Sequence, residues 1–403
     1  MSEVEFLPRA LTKEILHYWD NKAIHVIRGP RRAGKTTLMK YLHRIKGGTY
    51  VSFENPSERQ DFLSDPIGYV KNYEMPLFLD EVQLLGKGRG RVFKRIYDEL
   101  SDESLKLILT GSGAFDIKLE LSGALVGRAY FYDLLSLSFG EYVHWVKPNL
   151  ISLYKKGHNA LARLFKGELV DEFPISRRLE ELLKFYLILG GYPEVVLKKD
   201  SRELLSIVNT TIEEDIVNYF GLRESMKIWQ AIQRLAALSG QLLELSSLSV
   251  SYKTAKHYLS IFRYSYVLGE LTTFSTNKMV ELSKAVKIYF YDTGFRNAVL
   301  NKLQPYDVRD DLGPLMETFV FRQLVNKEIH YWRTKNKAEV DFVILENGHP
   351  IPIEVKSGAG RLTKSLYSFI QRYKPEIAIV VGFKPEKVKK DQTWIYVVPP
   401  YYF

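Results

Sequence analysis

The 403-residue sequence contains no cysteine. That excludes disulfide scaffolds, thiolate zinc sites, iron–sulfur clusters and cysteine nucleophiles together. It also lacks any apolar run near the ~20 residues that cross a bilayer. The opening MSEVEFLPRALTKE has no signal-peptide core, so the expectation is a cytoplasmic chain with no membrane partner. Acidic side chains are the scarcer charged class, 47 against 57 Lys and Arg, which leaves a formal net charge of +10. With 46% hydrophobic and 26% charged residues the chain is not of the disordered kind. At roughly 100–200 residues per domain, two to four domains are expected.

The positive excess is uneven. Residues 229–290 hold seven basic against three acidic residues, and residues 300–403 hold 16 against 12. A basic surplus concentrated in the C-terminal half favours an anionic partner, nucleic acid being the commonest.

The apolar run IHVIRG (24–29) leads into Gly29-Pro30-Arg31-Arg32-Ala33-Gly34-Lys35-Thr36-Thr37. Leu38, Met39, Tyr41 and Leu42 then recur at a helical period. The pattern G-x-x-x-x-G-K-[ST] between strand and helix is a phosphate loop. Glycines let main-chain amides curl around phosphate oxygens, and the helix points its positive end at the same anion. Lys35 is expected to reach the β- and γ-phosphates, with the Thr36 hydroxyl on Mg²⁺. A second apolar strand, MPLFLDE, ends in an acidic pair. Asp80 is assigned to the Mg²⁺ shell and Glu81 to polarising the attacking water. A third, LKLILTGSG, presents Thr110 and Ser112, of which Ser112 is the candidate to report on the γ-phosphate. Arg128, after ELSGALVG, is the candidate for neutralising transition-state charge, in cis or at a neighbouring subunit. Strand-like runs near 24–28, 49–53, 76–80, 105–110 and 129–134 alternate with helical stretches. They predict an α/β domain with a mainly parallel sheet and ligand at the strands' C-terminal ends.

GPRRAGKTT, LFLDE, LTGSGAF and GRAYFYDLLSLSFGEY, in this order, resemble the archaeal and bacterial AAA-type ATPases that carry a C-terminal domain of unknown function. The resemblance runs over nearly the whole chain. It implies ATP as cofactor, an additional-strand P-loop core at 1–145 and an oligomerising tendency.

Residues 146–228 read as mostly helical, broken sharply at Gly190, Gly191 and Pro193, and are expected to form a lid or connector. Residues 229–300 read as three short helices (WQAIQRLAALSG, LLELSSLSV, SYKTAKHYLSIFRYSYVL) and a two-stranded hairpin, which describes a winged helix-turn-helix. Its third helix offers Ser251, Lys253, Thr254, Lys256 and His257. Lys253, Thr254 and Lys256 are the expected DNA contacts.

Residues 301–403 give the order helix–strand–strand–strand–helix–strand. Glu317 lies on the helix, Asp341 on the second strand, and Glu354 and Lys356 on one face of the third. This α/β order resembles the PD-(D/E)XK nuclease superfamily, and within it the archaeal Holliday-junction resolvases. The chemistry asks for these residue types: Asp341 and Glu354 would hold a second Mg²⁺, Lys356 would orient or deprotonate water, and Glu317 matches the acidic helix residue of many members. Tyr331 and Trp332 are readable as base-stacking or as core.

The sequence therefore predicts an Mg²⁺-dependent ATPase coupled to a DNA-binding C-terminal module, with DNA cleavage left open. The alternative is a nucleotide-gated switch that binds protein or DNA and cleaves nothing.

Overall fold

The computed structural model describes residues 7–101, 104–111, 121–218, 220–222, 224–275, 285–356 and 363–403. The chain packs as two compact units. One comprises Met1–Ser136, Glu213–Gly221 and Ser260–Tyr266; the other comprises Leu137–Ile212, Leu222–Leu259 and Val267–Phe403.

In the first unit, strands β1 (Ile24–Arg28), β2 (Thr49–Ser52), β3 (Leu77–Asp80), β4 (Leu107–Gly111) and β5 (Ala129–Asp133) form one sheet in the order β2-β3-β4-β1-β5. Every neighbouring pair is parallel. All five lie where the apolar runs predicted them, and β4 is the additional strand between β1 and β3. Parallel sheets bury both faces, so β3 and β4 are apolar without alternation. Ile27, Phe78 and Ile108 pack with Leu38, Met39 and Leu42 on one side. Val26, Leu79 and Leu109 pack with Phe93 and Ile96 on the other.

His25 is fully buried on β1, stacked between Trp19 and Tyr132. Its Nδ1 lies 3.0 Å from the Tyr132 hydroxyl, and Lys106 Nζ approaches Nε2 at 3.4 Å. Burial and the Lys106 charge push its pKa down to about 4 from 6.5. The unfolded chain therefore binds this proton more readily, and stability falls as pH drops from 6.5 towards 4. Urea unfolding at pH 7 and pH 5 should show roughly 2 kcal/mol lost to His25, and His25→Gln should remove that increment.

In the second unit, helices Ile151–Phe165, Arg177–Leu189, Pro193–Lys198 and Ser201–Thr210 form the helical part. The break at Gly190 and Gly191 is a packing site as well as a helix end. Thr293 Oγ1 donates to the Tyr186 carbonyl (3.1 Å), and Asn297 Nδ2 donates to those of Leu187 and Ile188 (both 2.9 Å). The last-turn carbonyls that a helix cannot satisfy itself are thus met by a buried segment a hundred residues on.

Helix Ser225–Ala237, a 3₁₀ turn at Leu245–Leu248 and helix Tyr252–Tyr264 precede the antiparallel pair β6 (Leu268–Leu271) and β7 (Lys287–Phe290). The expected second helix is reduced to that single turn. Serines compete for the backbone there: Ser247 Oγ donates to the Glu244 carbonyl, and Ser249 is left-handed at φ 54°.

Helix Leu312–Leu324 then leads to β8 (Ile329–Arg333), β9 (Glu339–Glu346), β10 (His349–Val355), helix Lys364–Tyr373, β11 (Ile377–Val381), β12 (Glu386–Lys390) and β13 (Thr393–Val398). These six strands form a mixed sheet in the order β12-β13-β11-β10-β9-β8. The neighbours β8–β9 and β9–β10 are antiparallel, whereas β10–β11 is parallel. Phe319 and Val320 of the first helix cover one face, and Leu366, Phe369 and Ile370 of the second cover the other. Tyr331 and Trp332 are both 2% exposed, so they are core. The last two strands went unread in the sequence.

Candidate functional site

Gly29 ends β1 where only glycine fits: a Cβ there would stand 2.1 Å from the Leu134 carbonyl oxygen. Arg32 (φ 59°) and Gly34 (φ 96°) are left-handed, which curls the loop into helix Lys35–Lys46. Thr36 lies in that helix's first turn and Thr37 is exposed beside it. Lys35 is 5% exposed, and its Nζ donates to the carbonyls of Gly29 (3.0 Å) and Pro30 (2.8 Å). Burial pulls its pKa down to about 8, against the pull of Glu81, Asp215 and Asp80.

Asp80 is 1% exposed at the end of β3. Its carboxylate accepts from the Tyr50 hydroxyl (2.7 Å), the Glu81 amide (3.1 Å) and Thr110 Oγ1. Thr110 therefore orients Asp80, a role the sequence did not assign to it. Glu81 is left-handed at φ 58°, and its carboxylate accepts from Gln83 Nε2. Gly29, Lys35, Thr36, Asp80 and Glu81 thus lie at the C-terminal ends of β1 and β3, which flank β4. The donor set, one buried ammonium beside carboxylate and hydroxyl oxygens, fits a triphosphate with Mg²⁺.

The sequence missed two residues here. Arg31 pairs with Glu214, and its Nε lies 3.7 Å from Asp215 Oδ1. Both carboxylates come from the π-helical stretch Thr211–Asn218. Burial raises Asp215 to about 6, against the pull of Arg31 and Lys35. The signal available was TIEED, three acidic residues closing an amphipathic helix, which reads equally as a solvated end.

Arg128 requires a correction. It precedes β5, whose register pairs Ala129 with Ile24 and Asp133 with Arg28, so it sits at the sheet edge opposite the phosphate loop. There it pairs with Asp98 at 2.6 Å. It cannot serve its own chain's phosphate site. Ser112 lies outside the described residues.

A second cluster forms in the other unit. Register pairs Phe342 with Ile353, so Asp341 and Glu354 lie side by side on β9 and β10. Asp341 Oδ2 accepts from the Val355 amide (2.8 Å), and Lys356 Nζ donates to Glu354 Oε1 (2.8 Å). Glu354 is 5% exposed, and its Oε2 is buried without a hydrogen-bond partner among the described residues. Glu317 accepts from the Tyr289 hydroxyl (2.9 Å). Burial and the Asp341 charge raise Glu317 to about 8 and Glu354 to about 7; burial raises Asp341. All four predicted residues are brought together. Lys287 was not foreseen: it is 1% exposed on β7, pairs with Glu339 at 2.5 Å, and lies in the fields of Glu317 and Asp341. Among the described residues, no three carboxylate or imidazole side chains are gathered as a metal-binding group.

On helix Tyr252–Tyr264, Lys253, Lys256 and His257 are exposed. Ser251 Oγ accepts from the Thr254 amide (3.2 Å) and lies 2.8 Å from Thr254 Oγ1. Thr254 is thereby engaged in the helix cap.

Residues 21–143 match the family model of the AAA domain. With the sheet order and the phosphate loop, they form a P-loop domain of the AAA class, whose fold implies ATP with Mg²⁺. Residues 180–306 and 312–402 match two models described as domains of unknown function, DUF8612 and DUF4143. The chain is similar to an uncharacterized protein of Mycobacterium tuberculosis, 27% identical over 82% of this chain and 69% of that one. It is also similar to an uncharacterized protein of Methanocaldococcus jannaschii, 25% identical over 80% and 72%. Among solved structures it is similar to a Walker-type ATPase of Pyrococcus abyssi (TM-score 0.43, 14% identity, 73% of this chain, 96% of that one). It also resembles the ORC2 protein of Aeropyrum pernix (TM-score 0.34, 14% identity, 73% and 92%). Likenesses this distant carry no substrate or partner across. Among the described residues, no helix is long and apolar enough to cross a membrane.

Proposed function

We propose that the chain is an Mg²⁺-dependent ATPase whose nucleotide cycle governs a DNA-binding second unit. The observation that carries this reading is the phosphate loop itself: Lys35 buried at a helix start, one strand-end away from Asp80. Bound Mg²⁺ would supply charge neutralisation at the phosphates, held through Thr36 and Asp80. Lys35 would take the β- and γ-phosphates, and Glu81 would accept a proton from the attacking water.

DNA binding is supported by the exposed Lys253 and Lys256 and by the basic surplus of residues 229–290. A homo-oligomer remains part of the proposal, because Arg128 serves a phosphate site only if that site is a neighbour's. The deciding experiment is ATP turnover with and without duplex, single-stranded and branched DNA. Stimulation supports the reading, and indifference to all three overturns the coupling. Binding should weaken steeply with salt, and Lys253→Ala with Lys256→Ala should flatten log K against log[salt] by roughly 1–2.

For the last sheet, strand order and the pairing of Asp341 with Glu354 support the nuclease-like reading, and the buried Glu354 Oε2, unpartnered among the described residues, offers a cation one oxygen. Asp341 and Glu354 would be its ligands, with Lys356 beside them. Lys287 favours the alternative switch, because its ammonium already neutralises the Glu317–Asp341–Glu339 side of the cluster. Cleavage lost in Asp341→Asn selects the first; no cleavage with Mg²⁺ or Mn²⁺ on any substrate selects the switch.

A further inference from the structure

The phosphate loop binds anions, yet its own chain already delivers two. Glu214 is ion-paired with Arg31, and Asp215 lies 3.7 Å from the same guanidinium. Arg31 stands two residues after Gly29, inside the loop that wraps a triphosphate. Asp215 also lies in the field of Lys35 and beside that of Glu81. A guanidinium binds carboxylate and phosphate through the same planar fork of donors, so the two compete for Arg31. A bound ATP would bring its β,γ-phosphates into a site already holding Glu81, Glu214 and Asp215. Their like charge opposes the incoming phosphates.

We propose that Glu214 and Asp215 are phosphate surrogates that ATP displaces from Arg31, so that nucleotide binding unties the stretch Thr211–Asn218 from the phosphate loop. This rests on the reading of the loop as an ATP site and adds what occupancy of that site does. The stretch is suited to this exchange. Its turns are π-helical over Thr211–Asn218, a conformation seldom held for more than one turn. The Glu214 side chain is more than half exposed, so its own exchange from Arg31 to solvent costs little burial, whereas Ile216 (0% exposed) and Val217 (7%) are packed and would have to leave the core. In sequence Glu213–Gly221 is flanked on both sides by chain of the second unit, Leu137–Ile212 and Leu222–Leu259. Its untying is therefore a message written into chain outside the ATP-binding unit.

The experiment is calorimetric titration of the full chain with Mg²⁺ and the non-hydrolysable analogue AMPPNP. Wild type, Glu214→Gln, Asp215→Asn, Arg31→Ala and Arg31→Ala/Glu214→Gln are compared. Glu214→Gln and Asp215→Asn should each tighten binding on the order of tenfold, about 1.4 kcal/mol. Arg31→Ala should erase the gain from Glu214→Gln, because the two residues act as one interaction. Hydrogen exchange of residues 211–218 should quicken when AMPPNP is added to wild type.

Unchanged or weaker binding in both carboxamide variants overturns the proposal. So does slower exchange on nucleotide addition, which would make these carboxylates part of the closed site. If the wild-type chain binds no AMPPNP, the ATP-site reading itself fails, and the displacement falls with it.

Discussion

Lys35→Ala should lower ATP turnover at least about 100-fold while leaving the circular dichroism spectrum and the unfolding midpoint near those of the parent. Removing one preorganised donor from a transition state costs about two to three orders of magnitude, and a stabilising cation in phosphoryl transfer about three to five. Its structural cost is small because, among the described residues, the hydrogen bonds of the Lys35 ammonium go to carbonyls of its own loop, Gly29 and Pro30. Lys35→Arg is the stricter comparison. The guanidinium keeps the charge but needs more room than a nearly buried site offers, so turnover should stay low. Turnover within threefold of wild type in either variant would remove the assigned site.

The second large effect is structural. Asp292→Ala should cost roughly 3–5 kcal/mol and lower the apparent unfolding temperature by about 10 °C. Asp292 is 4% exposed and accepts from the amides of Gly191 and Phe295, both at 2.9 Å. Alanine leaves two buried N–H groups without partners, and each carries a desolvation penalty. In the parent chain the seat requires glycine at 190: the residue lies in the left-handed region at φ 73°, and a Cβ there would meet Asp292 Oδ1 at 2.0 Å. Asp292→Asn should fall between the two, because its amide oxygen keeps one acceptor while its NH₂ opposes the other donor. Thermal scans of the three proteins decide this, and an alanine variant as stable as the parent would show the amides are satisfied by water.

The same residues show where sequence reading stopped. Gly190 and Gly191 were legible as a helix break, which is a local property of residues that tolerate positive φ. Their use as a seat for Asp292 was not legible, since nothing local relates positions a hundred residues apart. The two C-terminal strands failed for another reason. EKVKK is a lysine-covered edge strand, whose charges discourage pairing with another chain and hide the alternation that marks a strand.

What the sequence determined alone is the phosphate loop with its strand and helix, the five-strand core, and the identity of the carboxylates on β9 and β10 and of the lysine just after β10. These follow from spacing along a single element or from the twofold alternation of a strand, which short-range sterics impose. Tertiary structure decided the rest. It set Arg128 at the wrong end of the sheet for its own phosphate site and turned Thr110 toward Asp80. It brought Lys287 among the acids of the last sheet and Glu214 and Asp215 onto Arg31. Each of these is a meeting of charges carried by elements far apart in the chain. Electrostatic pairing at that range depends on where the fold puts the elements, and no pattern within either element encodes it.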